Sequence, residues 1–275
     1  MTEYNITKAQ AHRLYQTMKD IHDIFLKNKI DYWVTGGTLL GAIRHNGIVP
    51  WDDDGDICIM KKDVPRLRKL VSVFAKKRYK LEEGTTDDEE DAMCVKKKDS
   101  CTWYLESNLS NSLGVDIFVM ERIGPLVTYS DPYWRTSGNG GKRCFFLYSH
   151  LYPLKPVPFG NFWVMAPHNA FEHLNQCYGT DWASRSQRLF DHRLGKWVNS
   201  KLTRMLPADF GTIPAPKSTY EPNAPKLQGS YNLRPSKGSN DLTNWEVHRL
   251  ASLFKIKNRS NLTIEKKKKI ISEIV

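Results

Sequence analysis

The segment GGTLLGAIRHNGIVPWDDDGDICIM, residues 36–60, constrains this chain more than any other stretch. It sets four aspartates, Asp52, Asp53, Asp54 and Asp56, between the apolar runs GIV and ICIM. Neighbouring carboxylates repel one another, so a fold that holds them together beside buried residues calls for a cation. The alternation in DGDICIM, 54–60, predicts a strand. Residues i and i+2 of a strand share a face, so Asp54 and Asp56 point together, with Gly55 adding no bulk between them. Asp53 points the other way and is expected to be structural, while Asp52 comes round from a loop stiffened by Pro50. A later apolar strand, GVDIFVM at 114–120, bears one carboxylate, Asp116, which would complete the cluster.

Oxygen donors without Cys or His partners favour Mg²⁺ or Mn²⁺ over zinc. Two such ions can activate an attacking oxygen and neutralise the leaving group of an in-line phosphoryl displacement. Asp54, Asp56 and Asp116 are therefore the candidate catalytic residues. Asp52, Asp54, Asp56 and Asp116 are the candidate metal ligands. Asp116 stays open between ligand and general base, since both roles need the same lone pairs.

The upstream half reads as a matching anion cradle. DYWVTG, 31–36, is a short strand that stops at Gly36–Gly37, and TLLGAIRH is a short helix opened by Thr38 as its cap. Gly36, Gly37 and Thr38 would present backbone N–H groups to a phosphate. Arg44 and His45, further along the helix, would pair with its oxygens. For Arg44 a structural ion pair, for instance with Asp52, explains the residue equally well. Strand, Gly-Gly, helix, strand with Asp-x-Asp, and a third Asp on a later strand is the layout of the nucleotidyltransferase fold.

Around this centre, residues 8–29 and 64–77 have the spacing of amphipathic helices, and strands are expected near 93–98 and 101–107. Residues 82–92 form an acidic loop. The fold class is α/β (α+β), a mixed sheet flanked by helices. The aromatics at 133–163, among them Tyr133, Trp134, Phe145, Phe146, Tyr152, Phe159, Phe162 and Trp163, are expected mainly in the core. A helical substrate-side segment follows near 167–182, with Asn169 as a cap. We divide the chain into a catalytic domain at 1–205, an extended Pro/Gly/Ser-rich linker at 206–240 and a small basic helical tail at 241–275. Six prolines fall between 207 and 235.

The formal net charge of +11, from 41 Lys and Arg against 30 Asp and Glu, suits an anionic partner. Five scattered cysteines form no C-x-x-C pair, which excludes a legible zinc site and points to reduced thiols. No signal-peptide core and no apolar run of membrane-spanning length are present, so a cytoplasmic or cytosol-like protein without a membrane span is expected.

GGTLLGAIRHNGIVPWDDDGDI closely resembles the signature of the LicD and fukutin-related family. GVDIF at 114–118 and LYPLKPVPFGNFWVMAPHNAFEHLNQCYGTDW at 151–182 recur in the same order. The resemblance spans roughly residues 10–185. It implies Mg²⁺-dependent transfer of a phosphorylated alcohol, such as phosphocholine or ribitol phosphate, from a CDP-linked donor to a glycan. It also implies that Asp52, Asp54 and Asp56 match the family's metal-binding stretch and Asp116 its later carboxylate. Eukaryotic relatives often carry an N-terminal anchor; its absence here favours a microbial or viral enzyme of similar chemistry.

Two rival readings differ in reaction or class. One keeps the fold and transfers a nucleotide from a nucleoside triphosphate to a small molecule. The other is nucleic-acid binding through residues 241–275, which are similar to short helix-extended-helix modules of the SAP type. Leu250, Leu253, Ile256, Leu262, Ile270 and Ile271 would form the core of that module, and its KKKK run a phosphate-facing surface. A plain helical hairpin packed on the main domain is the competing account of the same tail.

Overall fold

A computed structural model describes residues 6–83, 103–107, 113–131, 135, 145–186, 190–191, 196–197, 203–205, 209, 211–225, 237–257 and 259–274. The expected strand at 93–98, most of the acidic loop, Tyr133 and Trp134 lie outside these residues.

The first helix, α1 (Lys8–Lys27), starts from a capping box: the Thr7 hydroxyl accepts from the Gln10 amide, and the Gln10 side chain accepts from the Thr7 amide. Its apolar stripe, including Leu14, Met18, Ile21 and Phe25, is buried against the sheet. Next come β1 (Tyr32–Val34), α2 (Gly36–His45) and β2 (Gly55–Met60). The helix expected over 64–77 is two short pieces, α3 (Val64–Arg68) and α4 (Val71–Lys76). At the break Lys69 and Leu70 donate three residues back, to Arg66 and Leu67, which tightens the turn and ends the first piece.

The remaining strands of the main sheet are β3 (Tyr79–Glu83), β4 (Trp103–Ser107), β5 (Val115–Ile123), β6 (Leu126–Tyr129) and β7 (Phe146–Leu147). The sheet runs β1-β2-β5-β4-β3, with β6 pairing the far end of β5 and β7 pairing β6. β2 and β5 are parallel, and the other pairings in this sheet are antiparallel. A mixed α/β architecture is thus present, as expected. α5 (Tyr148–Leu151) leads into a hairpin of β8 (Lys155–Phe159) and β9 (Phe162–Ala166), then α6 (Ala170–Tyr178). Asn169 caps α6 by accepting from the Glu172 amide. Phe145, Phe146, Tyr152, Phe159 and Phe162 are buried, in line with their expected core role.

The described part of the proline-rich stretch, 211–225, is extended yet docked on the body. The prolines donate no N–H, and their carbonyls take the protein's side-chain donors instead: Asn161 donates to Pro216, and a His12 ring nitrogen meets the Pro214 carbonyl. Thr219 is fully buried, and the Glu221 amide donates to Asn161.

Two helices close the chain, α7 (Asn244–Leu253) and α8 (Ile264–Ile274). Leu242, Val247, Leu250, Ala251, Ile256 and Ile271 form one cluster with Ile123, Leu126 and Phe145 of the main body. The hairpin thus packs on the edge of the main sheet, as the hairpin account of the tail has it, and its core is not that of a self-contained module. Leu253, counted in it, is 40% exposed. Lys237 bonds Glu121, and Arg135 grips Glu246, fastening the hairpin to the body.

Candidate active site

Parallel pairing of β2 and β5 sets Asp56 opposite Asp116 in register, so both carboxylates leave the sheet on one face. Asp54 precedes β2 by one residue and joins them. Oxygens of Asp54, Asp56 and Asp116 lie within 4.8 Å of one another. Asp52, Asp53 and Asp54 form a second such group. Asp53 was expected to turn away as a structural residue; the bend of the chain before β2 keeps it with its neighbours, because strict alternation begins only at Gly55.

The start of α2 grips Asp56 from three sides. The Asp56 amide donates to the Thr38 hydroxyl at 2.8 Å, and the Thr35 amide donates to the Asp56 carbonyl at 3.1 Å. The Gly37 amide bonds the Asp56 carboxylate. A helix N-terminus favours negative charge, so this placement lowers the strain of the cluster. The helix begins two residues before the sequence pattern indicated. Thr35 holds the cap position without a side-chain cap bond, and Thr38 spends its hydroxyl on β2.

Both glycines are required by the carboxylates themselves. Gly36 has φ +53°, and a Cβ there would lie 2.3 Å from Asp56 Oδ2. A Cβ on Gly37 would lie 2.0 Å from Asp52 Oδ2. The expected phosphate cradle thus already holds two aspartates against the helix start. Beside it, Leu14, Met18, Thr38, Asp52 and Asp54 line a small cleft.

The Asp56 carboxyl is held well above the usual carboxylate range, first by desolvation, then by the charges of Asp54, Asp116 and Asp52. An all-oxygen set under this repulsion fits a hard divalent cation. The other described group of potential ligands, His22, Asp23 and Glu221, differs in kind. Lys19 lies 2.5 Å from Asp23 and 3.5 Å from Glu221, so one ammonium already sits against these two acids.

Arg44 and His45 sit at the other end of the helix from the two glycines. They end α2, and at 1.5 Å per residue Arg44 stands about 10 Å along the axis from Gly37. Arg44 Nη1 donates to the carbonyls of Trp182 and Arg185, at 2.8 and 3.0 Å. His45 Nε2 meets the Asp209 carbonyl at 3.1 Å, and the ring packs edge-on to Trp51. Burial draws the Arg44 pKa down to about 10 and the His45 pKa down to about 4, so the imidazole is neutral at pH 7. Arg44 feels the charge of Asp52, but its hydrogen bonds clamp the 182–185 segment to α2.

Two contributors carried no signal in the sequence. Tyr104 pairs with Asp116 across β4 and β5, and its ring packs so tightly on Gly114 that a Cβ there would meet the hydroxyl at 2.0 Å. Tyr15, from α1, accepts from the Ile48 amide at 3.0 Å and bonds Thr212 at 3.1 Å; Thr212 donates to the Ile48 carbonyl at 2.6 Å. The loop leading to the aspartates is therefore held by residues 33 and 164 positions away from Ile48. No local pattern announces such a contact.

Known proteins share this central region. An uncharacterized protein of Rickettsia prowazekii is 36% identical over 176 residues, 64% of this chain and 58% of its own length. The ribitol 5-phosphate transferase FKRP of Homo sapiens is 28% identical over 174 residues, 60% of this chain and 31% of that protein. The lipopolysaccharide cholinephosphotransferase LicD of Haemophilus influenzae is 38% identical over 61 residues, 22% of this chain and 23% of its own. The chain thus spans between about a quarter and three fifths of these relatives. No helix among the described residues is long and apolar enough to cross a membrane. Residues 29–169 match the family described as LicD/FKTN/FKRP, nucleotidyltransferase domain, a span that takes in α2, β2, β5 and every carboxylate of the cluster. With half of the chain inside that match, this protein belongs to the LicD/FKTN/FKRP nucleotidyltransferase-domain family.

Proposed function

We propose that this protein is a transferase that moves a phosphorylated alcohol, of the ribitol phosphate or phosphocholine kind, from a CDP-linked donor to a glycan hydroxyl. The observation that carries the reading is the in-register Asp56–Asp116 pair, joined by Asp54 and pinned to the start of α2. The names of two relatives, a ribitol 5-phosphate transferase and a cholinephosphotransferase, support the reaction class.

Asp54, Asp56 and Asp116 would hold Mg²⁺ or Mn²⁺, with Asp52 tuning the site. When bound, the cation supplies positive charge to a diphosphate and its leaving group. The chain's own contribution is position. Thr35, Gly37 and Thr38 fix Asp56, and the Tyr15–Thr212 pair fixes the loop that carries Asp52 and Asp54. The acceptor hydroxyl oxygen forms a bond to the phosphorus that carries the alcohol. The bond from that phosphorus to the CMP oxygen breaks, CMP leaves, and the hydroxyl proton passes to a carboxylate of the cluster.

The test is thermal stability with CDP-ribitol, CDP-choline, CDP-glycerol and CTP, each with and without Mg²⁺, followed by product analysis. A metal-dependent shift with one CDP-alcohol and release of CMP support the reading. Pyrophosphate release from CTP would assign nucleotidyl transfer instead.

A further inference from the structure

The tail hairpin contains a cleft whose chemistry is the reverse of the carboxylate cluster. His248, Ala251, Arg259, Ser260 and Lys267 line a cavity of about 230 Å³ between α7, α8 and the turn joining them. Lys267 is only 3% exposed. Its ammonium lies 3.4 Å from His248 Nδ1, and among the described residues no carboxylate comes within ion-pair distance of it. The buried carboxylate of the hairpin, Glu246, is committed elsewhere: Arg135 holds both its oxygens, at 2.9 and 2.6 Å, and the Thr243 amide takes a further bond.

An ammonium withdrawn from water is costly unless an anion accompanies it. One of its three donors meets His248, which leaves two for another acceptor. Arg259 lines the same cleft and adds a planar set of N–H donors, while the Ser260 hydroxyl donates to the Asn261 side chain at 3.3 Å. Neighbouring Lys266, Lys268 and Lys269 on α8 extend the positive field outward from the cleft.

We propose that this cleft is a phosphate-binding site, with Lys267 and Arg259 as the paired cations. The ligand chemistry is a phosphate group, whether free in a small phosphorylated molecule or carried in a polynucleotide backbone. Because the site lies outside the family match and contains none of the carboxylates, it stands independently of the transferase reading.

The experiment uses the full chain without divalent cations. Binding of inorganic phosphate is followed by calorimetry, and binding of a 16-base-pair duplex by fluorescence anisotropy across a salt series. Lys267→Met keeps the apolar stem and removes the charge; Arg259→Gln, at an exposed position, is the second variant should the first alter folding. Wild-type binding weakened at least about tenfold in both variants supports the site. If the duplex binds tighter than phosphate and the variants flatten its salt dependence, the source is a polynucleotide. If only phosphate binds, the source is a small phosphorylated molecule. No binding of either probe, or binding unchanged in folded variants, overturns the proposal.

Discussion

The carboxylate cluster and the tail cleft gather charge of opposite sign, and the protein supports the two differently. At the cluster, like charges are braced by neutral backbone: the Gly37 amide, the Thr38 hydroxyl and the helix start hold Asp56 where its neighbours repel it. At the cleft, Lys267 meets the His248 ring, and among the described residues no acid lies within ion-pair distance of it. The Asp23 and Glu221 carboxylates, by contrast, share the Lys19 ammonium.

This contrast can be broken in several ways. The largest expected effect is on turnover: Asp54→Asn/Asp56→Asn should lower transfer by roughly 10³-fold, read as CMP release. Asp56→Asn alone should raise the stability of metal-free protein by about 1–2 kcal/mol, because it removes a repelled, desolvated carboxylate. A drop in its urea midpoint would show that Asp56 is stabilised within the chain and needs no cation.

Gly36→Ala and Gly37→Ala come next. Each Cβ would collide with a carboxylate oxygen, and Gly36 adds a positive φ, so a loss of about 1–3 kcal/mol is expected in each. Divalent-cation affinity should fall with stability. Retained affinity in a destabilised variant would separate the cluster from the helix start.

The pH dependence of stability is the third test. Burial lowers the folded pKa of His22 and His45 to about 4 and of His173 to about 3. Above pH 6.5 all three are neutral whether folded or not. As pH falls from 6.5 towards 4, the unfolded chain takes up protons that the native state refuses, so stability is lost in that window. Asp63, raised to about 6 by desolvation, opposes this, because its native state gains a proton as pH falls through 6. Asp31 and Asp56, also raised by desolvation, oppose it in the same sense, so the histidine contribution is isolated as the difference between wild type and variant in the urea midpoint at pH 7 and pH 5. His45→Gln should reduce the slope.

The smallest effect is expected of Tyr15→Phe. It removes the hydroxyl shared by Ile48 and Thr212, at a cost of about 1 kcal/mol, and should loosen the aspartate loop without touching the carboxylates. Cation affinity should weaken only a few-fold, measured by calorimetry.

Much of the central region was legible because its information is local. Asp54 and Asp56 flank a single glycine at the mouth of an apolar strand, and Asp116 opens a second such strand; period-two geometry then makes a shared face the natural outcome. Asn169 ahead of α6 is a cap read from its place before the helix. For Arg44 two readings stayed open for a related reason. Proximity in sequence to a Gly-Gly turn says nothing about which end of a helix a side chain serves, and α2 carries it towards Trp182.

By itself, then, the sequence determined the two aspartate-bearing strands, the first helix, the candidate ligands to consider and the family, since periodicity and a long ordered motif act over short spans. Only the tertiary structure decided that β2 and β5 pair in parallel with Asp56 against Asp116, and that Gly36 and Gly37 make room for carboxylates. It also decided that Thr212 and Tyr15 hold the site loop, and that Lys267 is buried against the His248 ring. Each of these is a contact between residues far apart in the chain. Such contacts depend on how whole elements pack, and packing is a property of the assembled core that no short window of residues contains.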